Sequence, residues 1–402
     1  MGIDLGTTNS CMGIWNFETE TVEILPNKLG KNTTPSWIGF NEAGKIFVGE
    51  RAKNQTTFIF DAKRMIGKAF SDEDVQAHKQ KWDFVVVGDD QDRCKVEVPG
   101  MEAQSIEQIS ACVLQALKEA ASERLGREVK KAVVTVPAYF NAAQKQATQD
   151  AARIAGLDIL RIINEPTAAA MAAGIHEEDD EKNILIFDFG GGTFDISVLT
   201  ISEGVIDVQA TRGDMNLGGR DLDEVLVEHC LEEFKKTTGT DLTSDKRART
   251  RLNTECEKAK INLSVAYETK IKVHAFHNDQ DLEVTVTREQ FEELGAEVFE
   301  KLIQPVEDAL ADACMSVDEI DDILLVGGST RIPKVRSWLQ EYFEDKPPND
   351  ALNPDEAVAH GATIMAGVLA PAAGSSAPAE PAQPQPHMNG GGGAAVPQQT
   401  DA

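Results

Sequence analysis

One short pattern occurs twice in this chain, and it limits the choice of fold more than any other feature. Residues 3–8 read Ile-Asp-Leu-Gly-Thr-Thr and residues 187–193 read Phe-Asp-Phe-Gly-Gly-Gly-Thr, so each apolar run ends in an aspartate followed by glycine. No helical stretch opens directly after the glycines, which predicts a strand, a tight turn and a second strand in both places. We therefore expect two related hairpins, one in each of two lobes.

The residue types in these two loops are those of a phosphate site. Glycine lets successive backbone N–H groups turn toward an anion, and the aspartate supplies the negative charge that a hydrated Mg²⁺ requires. Neither loop is a Walker A motif or a dinucleotide fingerprint, because both of those need a helix directly after the glycines. A triple glycine alone could be only a turn, but Gly327 and Gly328 form a third glycine pair at the end of an apolar run.

Composition restricts the partners and the compartment. The 402 residues include 67 acidic and 39 basic side chains, and the net charge of −28 disfavours nucleic acid and anionic membrane surfaces as partners. No apolar run is long enough to span a bilayer, and the first residues leave no room for a cleavable signal. The six scattered cysteines are expected to be buried free thiols. We expect a cytoplasmic monomer, or an organellar one if a targeting segment precedes residue 1.

Apolar runs alternate with amphipathic segments, which predicts an α/β fold. The expected elements are strands at 132–136, 184–189 and 323–326, helices at 141–155 and after Pro333, a charged helix within 244–264 and two strands within 270–286 with a turn at 277–279. The last two form a block that we interpret as a separate subdomain.

The expected domain organisation follows from these segments and from a change in composition near the end. We expect one two-lobed, phosphate-binding domain at 1–369, with lobe I at about 1–180, lobe II at about 181–369 and a subdomain of lobe II at about 219–300. Residues 370–402 are rich in Ala, Pro, Gly and Gln and are expected to be a disordered tail.

Five motifs closely resemble, in the same order, those of the nucleotide-binding domain of the heat shock protein 70 chaperones. They are residues 2–10, 134–141, 163–170, 187–195 and 325–333. The resemblance extends to about residue 368. It implies an actin-like, sugar-kinase-like ATPase fold with two lobes of two subdomains around a nucleotide cleft. It also implies ATP or ADP, Mg²⁺ and K⁺ as ligands.

The resemblance implies a catalytic set. Its members are Asp4, Lys63, Glu165, Asp188 and Thr193. Asp4, Asp188 and Asp195 would hold Mg²⁺, mostly through water. Lys63 would orient the attacking water and stabilise charge on the γ-phosphate, and Glu165 would help to orient that water. These roles suit phosphoryl transfer, which depends on positioning and electrostatic stabilisation.

The implied nucleotide contacts come from the phosphate loops, from the charged helix and from the third glycine pair with its neighbours. They are Gly6, Thr7, Thr8, Asn9, Gly190, Gly191, Gly192, Thr193, Gly219, Glu257, Lys260, Ser264, Gly327, Gly328, Ser329, Arg331 and Asp355. Glu257, Lys260 and Ser264 are spaced three and four apart, so they share one face of a helix. The planar guanidinium of Arg331 is suited to stacking on adenine.

The resemblance also implies a switch and surface partners. Pro137 and Lys145 would report the nucleotide state to the surface, although Lys145 stands where many relatives carry arginine. A nucleotide exchange factor is an implied partner, and Arg161 matches a position used by J-domain cochaperones. The family's chaperones continue into a linker and a peptide-binding domain, whereas low-complexity sequence follows here. We therefore expect no substrate-binding domain.

Other interpretations stay open at this point. Lys63 with Arg64 could be a solvated basic pair, and Glu165 could belong to an ordinary helix start. The chain could be a nucleotide-sensing adaptor that binds cochaperones without productive turnover. A small-molecule kinase shares the fold, but no catalytic aspartate beside a substrate pocket is recognisable. The favoured interpretation is a Mg²⁺-dependent ATPase of chaperone type.

Overall fold

The computed structural model describes residues 1–80, 82–174, 181–344 and 346–370, and these form eighteen strands and twelve α-helices. The strands are β1 (Gly2–Asp4), β2 (Asn9–Asn16), β3 (Thr21–Ile24), β4 (Thr33–Pro35), β5 (Ile38–Phe40), β6 (Ile46–Val48), β7 (Thr57–Ile59), β8 (Val86–Gly88), β9 (Cys94–Val96), β10 (Gln104–Ser105), β11 (Lys131–Val136), β12 (Asp158–Asn164), β13 (Lys182–Phe189), β14 (Phe194–Ser202), β15 (Val205–Asp214), β16 (Glu268–His277), β17 (Gln280–Thr287) and β18 (Asp322–Val326). The helices are α1 (Ala62–Met65), α2 (Glu73–Lys79), α3 (Ile106–Leu125), α4 (Ala142–Ile154), α5 (Glu165–Ala172), α6 (Gly219–Thr238), α7 (Lys246–Leu263), α8 (Arg288–Leu294), α9 (Ala296–Glu300), α10 (Ile303–Asp312), α11 (Pro333–Tyr342) and α12 (Ala357–Leu369). The tail predicted at 370–402 lies, from residue 371 onward, outside the described residues.

The first half of the chain is built on a mixed sheet in the order β12-β11-β1-β2-β3, with β4 paired to β2. β1 runs parallel to β11 and antiparallel to β2. The turn between β1 and β2 carries the first glycine loop, and Asp4 ends β1 opposite Cys11. The first predicted hairpin is therefore confirmed.

The second half repeats this arrangement in a sheet of order β15-β14-β13-β18. β13 runs antiparallel to β14 and parallel to β18, as β1 does to β2 and β11. Asp188 lies opposite Asp195, in the register that Asp4 and Cys11 have in the first sheet. The second predicted hairpin is also confirmed.

Three groups of buried side chains hold these sheets. Core I runs from Ile3 to Leu157 and packs α3 and α4 against the first sheet, while core II runs from Leu185 to Phe343 and packs α6, α7, α10 and α11 against the second. A third group packs α5 and α12 beside both sheets. Both faces of β13 are therefore covered, which explains the unbroken apolar run at 184–187 within it.

Local chemistry sets the boundaries of the elements nearest the two loops. Asn141 caps α4 and exchanges hydrogen bonds with Gln144, which starts the helix directly after β11 and its turn. β16 and β17 turn at Asn278 and Asp279, both with positive φ, where the sequence predicts a turn. The other predicted helices and strands also agree closely with the observed bounds.

The prediction that the cysteines are free thiols is confirmed, but the prediction that all of them are buried is wrong. All six thiols are free, but Cys112 is half-buried and Cys314 is exposed. Cys314 lies two residues after α10, at a turn with φ of 54°. None of the described helices is both long enough and apolar enough to cross a membrane.

Candidate nucleotide site

The two hairpins face each other across a cleft of about 90 Å³. Most of the residues predicted to act on a nucleotide line it, and they are Asp4, Gly6, Thr7, Thr8, Asn9, Lys63, Glu165, Asp188, Gly190, Gly191, Gly192, Thr193, Gly327, Gly328 and Asp355. The two glycine loops touch. A Cβ atom on Gly191 would lie 2.8 Å from the Thr8 hydroxyl oxygen, so a larger residue would force the loops apart.

The carbonyl groups of the second loop are held from outside the cleft. The Gly190 carbonyl accepts hydrogen bonds from the Gly219 amide at 3.0 Å and the Ser329 hydroxyl at 2.9 Å. The Gly191 carbonyl accepts from the Arg220 amide at 2.8 Å, and the Gly192 carbonyl accepts from the Arg64 guanidinium. Within the described residues, the amides of Gly191 and Gly192 donate to no partner. They are therefore available to an anion.

The first loop is held by one serine. The Ser36 hydroxyl donates to the Gly6 carbonyl at 2.7 Å, and the Ser36 amide donates to the Thr8 carbonyl at 2.9 Å. The Ser36 side chain is buried, and its hydroxyl also lies 2.9 Å from that of Ser10. Both loops thus direct carbonyls away from the cleft, which is the arrangement expected of phosphate-binding backbone.

Lys63 and Glu165 form a buried ion pair between the hairpins. The Lys63 ammonium lies 2.5 Å from a Glu165 carboxylate oxygen, and the two side chains are only 11% and 10% exposed. Burial alone would lower the pKa of Lys63, but the charges of Glu165 and Asp4 outweigh it and raise that pKa. Lys63 is therefore a permanent cation in the cleft, and the alternative of a solvated surface pair does not apply to it.

Three aspartates around this pair hold protons unusually well. Burial, and then the Glu165 charge, raises the pKa of Asp4 to about 7 and that of Asp195 to about 8. Burial and the charges of Glu165, Asp195 and Asp4 raise the pKa of Asp188 well above its usual range. Such crowding of carboxylates without enough positive charge is typical of sites that take up a cation.

The donor set fits a hydrated divalent cation. One carboxylate oxygen of Asp195 is buried and has no hydrogen-bond partner among the described residues. The described residues contain no group of three or more acidic, histidine or cysteine side chains close enough to hold an ion directly. A cation held by Asp4, Asp188 and Asp195 would therefore complete its shell with water or phosphate oxygens, as Mg²⁺ commonly does.

A comparison with known families decides the assignment. A family model described as Hsp70 protein matches residues 1–377 of this chain. The chain belongs to the Hsp70 protein family. Its fold is accordingly the actin-like ATPase fold, and proteins of this family generally hydrolyse ATP, bind it with Mg²⁺ and interact with cochaperones.

In this Hsp70 chain, the residues predicted to bind nucleotide from the charged helix and from the third glycine pair contact segments that lie next to the second loop. The Lys260 ammonium donates to the Gly219 carbonyl at 2.7 Å and pairs with Asp223. The Arg331 guanidinium lies 3.1 Å from an Asp355 carboxylate oxygen, beside Gly328. These contacts bring the third glycine pair and the start of α6 to one edge of the cleft.

The remaining predicted residues lie farther from the loops. Glu257 pairs at 3.5 Å with Lys53, which belongs to the first half of the chain, and Ser264 ends α7 with its hydroxyl 3.5 Å from the Lys260 carbonyl. Both lie on the Lys260 face of α7, as the spacing predicts, but neither lines the cleft.

The predicted switch residues occupy different places. Pro137 and Asp195 line a second, much smaller cavity of about 10 Å³, which shares Glu165 and Asp188 with the cleft. Pro137 therefore lines the same small cavity as Glu165 and Asp188, two of the residues predicted to be catalytic. Lys145 is half-buried on α4 and lines neither cavity, so a switch role for it would act through the helix and not through contact with nucleotide.

Several residues that shape the site were absent from the sequence prediction. Thr135 donates to Asp4 at 3.3 Å, Ser36 holds the first loop, and Asp61 and Arg220 meet at the edge of the cleft. Thr135 lies within a quoted motif, and Asp61 stands two residues before Lys63, so their neighbourhood gave some signal. Ser36 and Arg220 gave none, because only the folded chain brings them to the loops.

Proposed function

We propose that this Hsp70 chain binds ATP with Mg²⁺ in the cleft and hydrolyses it, and that the bound nucleotide sets the closure of two lobes in a cycle that assists protein folding. The observation that supports this most strongly is the buried Lys63–Glu165 pair, which lines the cleft together with Gly191 and Gly192, whose amides donate to no described partner. Family membership supports the chaperone role.

The residues of this chain divide the work of phosphoryl transfer. The loop amides bind the phosphate oxygens and hold them in one position. The Lys63 ammonium stabilises negative charge as it develops on the γ-phosphate, and Glu165 keeps Lys63 in place and accepts a hydrogen bond from the attacking water. Mg²⁺, when bound through Asp4, Asp188 and Asp195, supplies further neutralisation of phosphate charge. Thr193, which lines the cleft at the end of the second loop, would contact the phosphates.

The adenosine and partner assignments extend this proposal. Glu257, Lys260, Ser264, Ser329 and Arg331 would bind the nucleoside. The contacts of Lys260, Ser329 and Arg331 lie at one edge of the cleft, and Glu257 and Ser264 share the face of α7 that carries Lys260. We also propose K⁺ near the phosphates, Pro137 as the relay to the surface, and a nucleotide exchange factor and J-domain cochaperones as partners. Arg161, proposed for the J-domain contact, is exposed on β12.

Single-turnover hydrolysis of ATP tests the catalytic assignment. Lys63→Ala removes the cation between the loops, and we expect its rate to fall about 100-fold or more, the usual scale for losing one preorganised charge-stabilising group. ATP binding should weaken much less, because the loop amides stay in place.

Lys68→Ala is the matched control. Lys68 is also 11% exposed and ion-paired, 2.6 Å from Asp74, but it does not line the cleft. We expect its hydrolysis rate to stay within about twofold of wild type, as for most changes away from a site. Equal rates for wild type and Lys63→Ala would contradict the catalytic assignment, and failure to bind ATP would contradict the proposed function as a whole.

A further inference from the structure

Three ion pairs between described residues join elements of core I to elements of core II, and they differ sharply in burial. Lys246 with Asp83 is largely exposed, at 80% and 49% of the two side chains, and Lys53 with Glu257 is partly exposed. The third pair is Asp61 with Arg220, whose side chains are 6% and 27% exposed, so its carboxylate is the most buried of the three. Exposed pairs contribute little to stability, whereas breaking a buried one leaves a charge without compensation.

Asp61 is built into core I as a fixed anion. It lies between β7 and α1 in a left-handed conformation with φ of 58°, which aspartate and asparagine tolerate better than most residues. The Trp82 indole donates to it at 3.3 Å, and the Arg64 guanidinium lies 3.4 Å away. Burial alone would raise the pKa of Asp61, but the Arg220 and Arg64 charges outweigh it and lower that pKa. Asp61 thus stays ionised without access to bulk water.

Arg220 reaches this anion from the other side of the cleft. It is the second residue of α6, whose apolar side chains belong to core II. Its guanidinium lies 2.5 Å from Asp61, 3.4 Å from the Thr8 hydroxyl and 5.2 Å from the centre of the Phe60 ring. Its amide donates to the Gly191 carbonyl at 2.8 Å. One residue therefore contacts both glycine loops and a buried carboxylate of core I.

We propose that the Asp61–Arg220 pair, named here the clasp, holds the two cores together over the nucleotide phosphates and limits the rate at which nucleotide leaves. The clasp closes when Arg220 meets Asp61, because the same guanidinium then lies against Thr8 while its backbone supports the second loop. If the cores move apart, Asp61 keeps Arg64 and Trp82 as partners, whereas Arg220 returns to water. Opening therefore breaks the contacts of Arg220, whereas Asp61 remains paired with Arg64 and hydrogen-bonded to Trp82. This inference rests on the proposed nucleotide site.

The release rate of ADP tests the clasp. The full chain is loaded with Mg²⁺ and a fluorescent ADP analogue labelled on the ribose, and release is followed by stopped flow after mixing with excess ADP. We expect Arg220→Gln to release the analogue roughly tenfold faster than wild type, the scale of losing one buried ion pair that is partly compensated. Arg220→Lys should restore part of the slow release. Asp61→Asn tolerates the left-handed backbone and should accelerate release to a similar extent.

A double-mutant cycle and a matched control separate the clasp from a general loss of stability. Asp61→Asn combined with Arg220→Gln should be no faster than the faster single variant, since both remove the same interaction. Lys246→Gln breaks the exposed pair between the same cores and should leave release unchanged. The unfolding midpoints of all variants are measured alongside.

Two results would overturn the clasp. The first is a release rate within about twofold of wild type for Arg220→Gln or, if that variant does not fold, for Asp61→Asn, because experimental scatter covers such a factor. The second is an equal acceleration by Lys246→Gln. A wild-type chain that binds no ADP would contradict the proposed function, whereas one that binds ADP with unchanged release in the variants contradicts only the clasp.

Discussion

The hairpin of β1 and β2 and the hairpin of β13 and β14 share their register and their sheet neighbours, yet the residues opposite their aspartates differ. Asp4 faces the neutral Cys11, while Asp188 faces the carboxyl group of Asp195. Asp4 also accepts a hydrogen bond from Thr135 and lies near the Lys63 cation. The same backbone frame therefore carries one buried aspartate in the first hairpin and two facing carboxyl groups, a more crowded arrangement, in the second.

The two hairpins also differ in what holds their loops. The first loop is fixed by Ser36, a residue of its own half of the chain. The second loop takes support from Gly219, Ser329 and Arg220 of its own half and from Arg64 across the cleft. The carbonyls of the first loop are thus held within their own half of the chain, whereas those of the second loop take one donor, Arg64, from the other half.

The largest difference should appear when each aspartate loses its charge. Asp188→Asn should slow single-turnover ATP hydrolysis about 100-fold or more, the scale of losing one electrostatic group in a preorganised site. Asp4→Asn should slow it less, about tenfold, because an oxygen of Asp4 already accepts the Thr135 hydroxyl and is less free to bind a hydrated cation. Equal losses in the two variants would show that the hairpins are chemically equivalent after all.

A second prediction concerns the residues opposite the aspartates, in the protein without nucleotide. Burial and the Glu165 charge raise the pKa of Asp195 to about 8, so the folded protein holds a proton that the unfolded chain releases near pH 4. The free energy of unfolding should therefore fall as the pH rises from about 4 to about 8. Asp195→Asn removes this contribution, and its stability relative to wild type should increase by about 1 kcal/mol or more between pH 5 and pH 8.

Urea unfolding at both pH values, with EDTA present, measures this change. Cys11→Ser is the control at the equivalent position of the first hairpin. Burial and the Asp4 charge raise the pKa of the Cys11 thiol far above this range, so the effect of that substitution should be the same at both pH values. A stability difference for Asp195→Asn that does not change with pH would contradict the crowding of the second hairpin.

Some features of the two hairpins and their surroundings could be predicted from the sequence, and others could not. Both hairpins, α4 and the turn at Asn278 could be predicted from the sequence, because glycine position, apolar alternation and helix caps act over a few residues. That Lys63 and Glu165 lie close together could be inferred only from the resemblance to a family, because 102 residues separate them in the sequence. Local propensity carries no information on such a pairing.

The supporting residues could not be predicted because their roles arise from tertiary packing alone. Ser36 lies in a polar stretch that resembles any loop, and Arg220 reads as an ordinary helix residue. The role of each residue appears only when its segment packs on a distant part of the chain. Ser36, for example, holds the carbonyl of Gly6, which lies 30 residues earlier in the sequence. The difference in support between the two hairpins was therefore visible only in the structure.

A last prediction tests that difference in support. Ser36 and Ser329 are each 7% exposed, and their hydroxyls hold the equivalent carbonyls of Gly6 and Gly190. Gly190 retains the Gly219 amide when Ser329 is removed, whereas within the described residues Gly6 has no second donor. Ser36→Ala should therefore lower the free energy of unfolding by about 1–3 kcal/mol, the cost of a buried group left unsatisfied, and Ser329→Ala by about 0.5–1 kcal/mol. Urea unfolding of both variants at one pH measures the difference, and a greater loss for Ser329→Ala would show that the second loop, not the first, depends on a single hydroxyl.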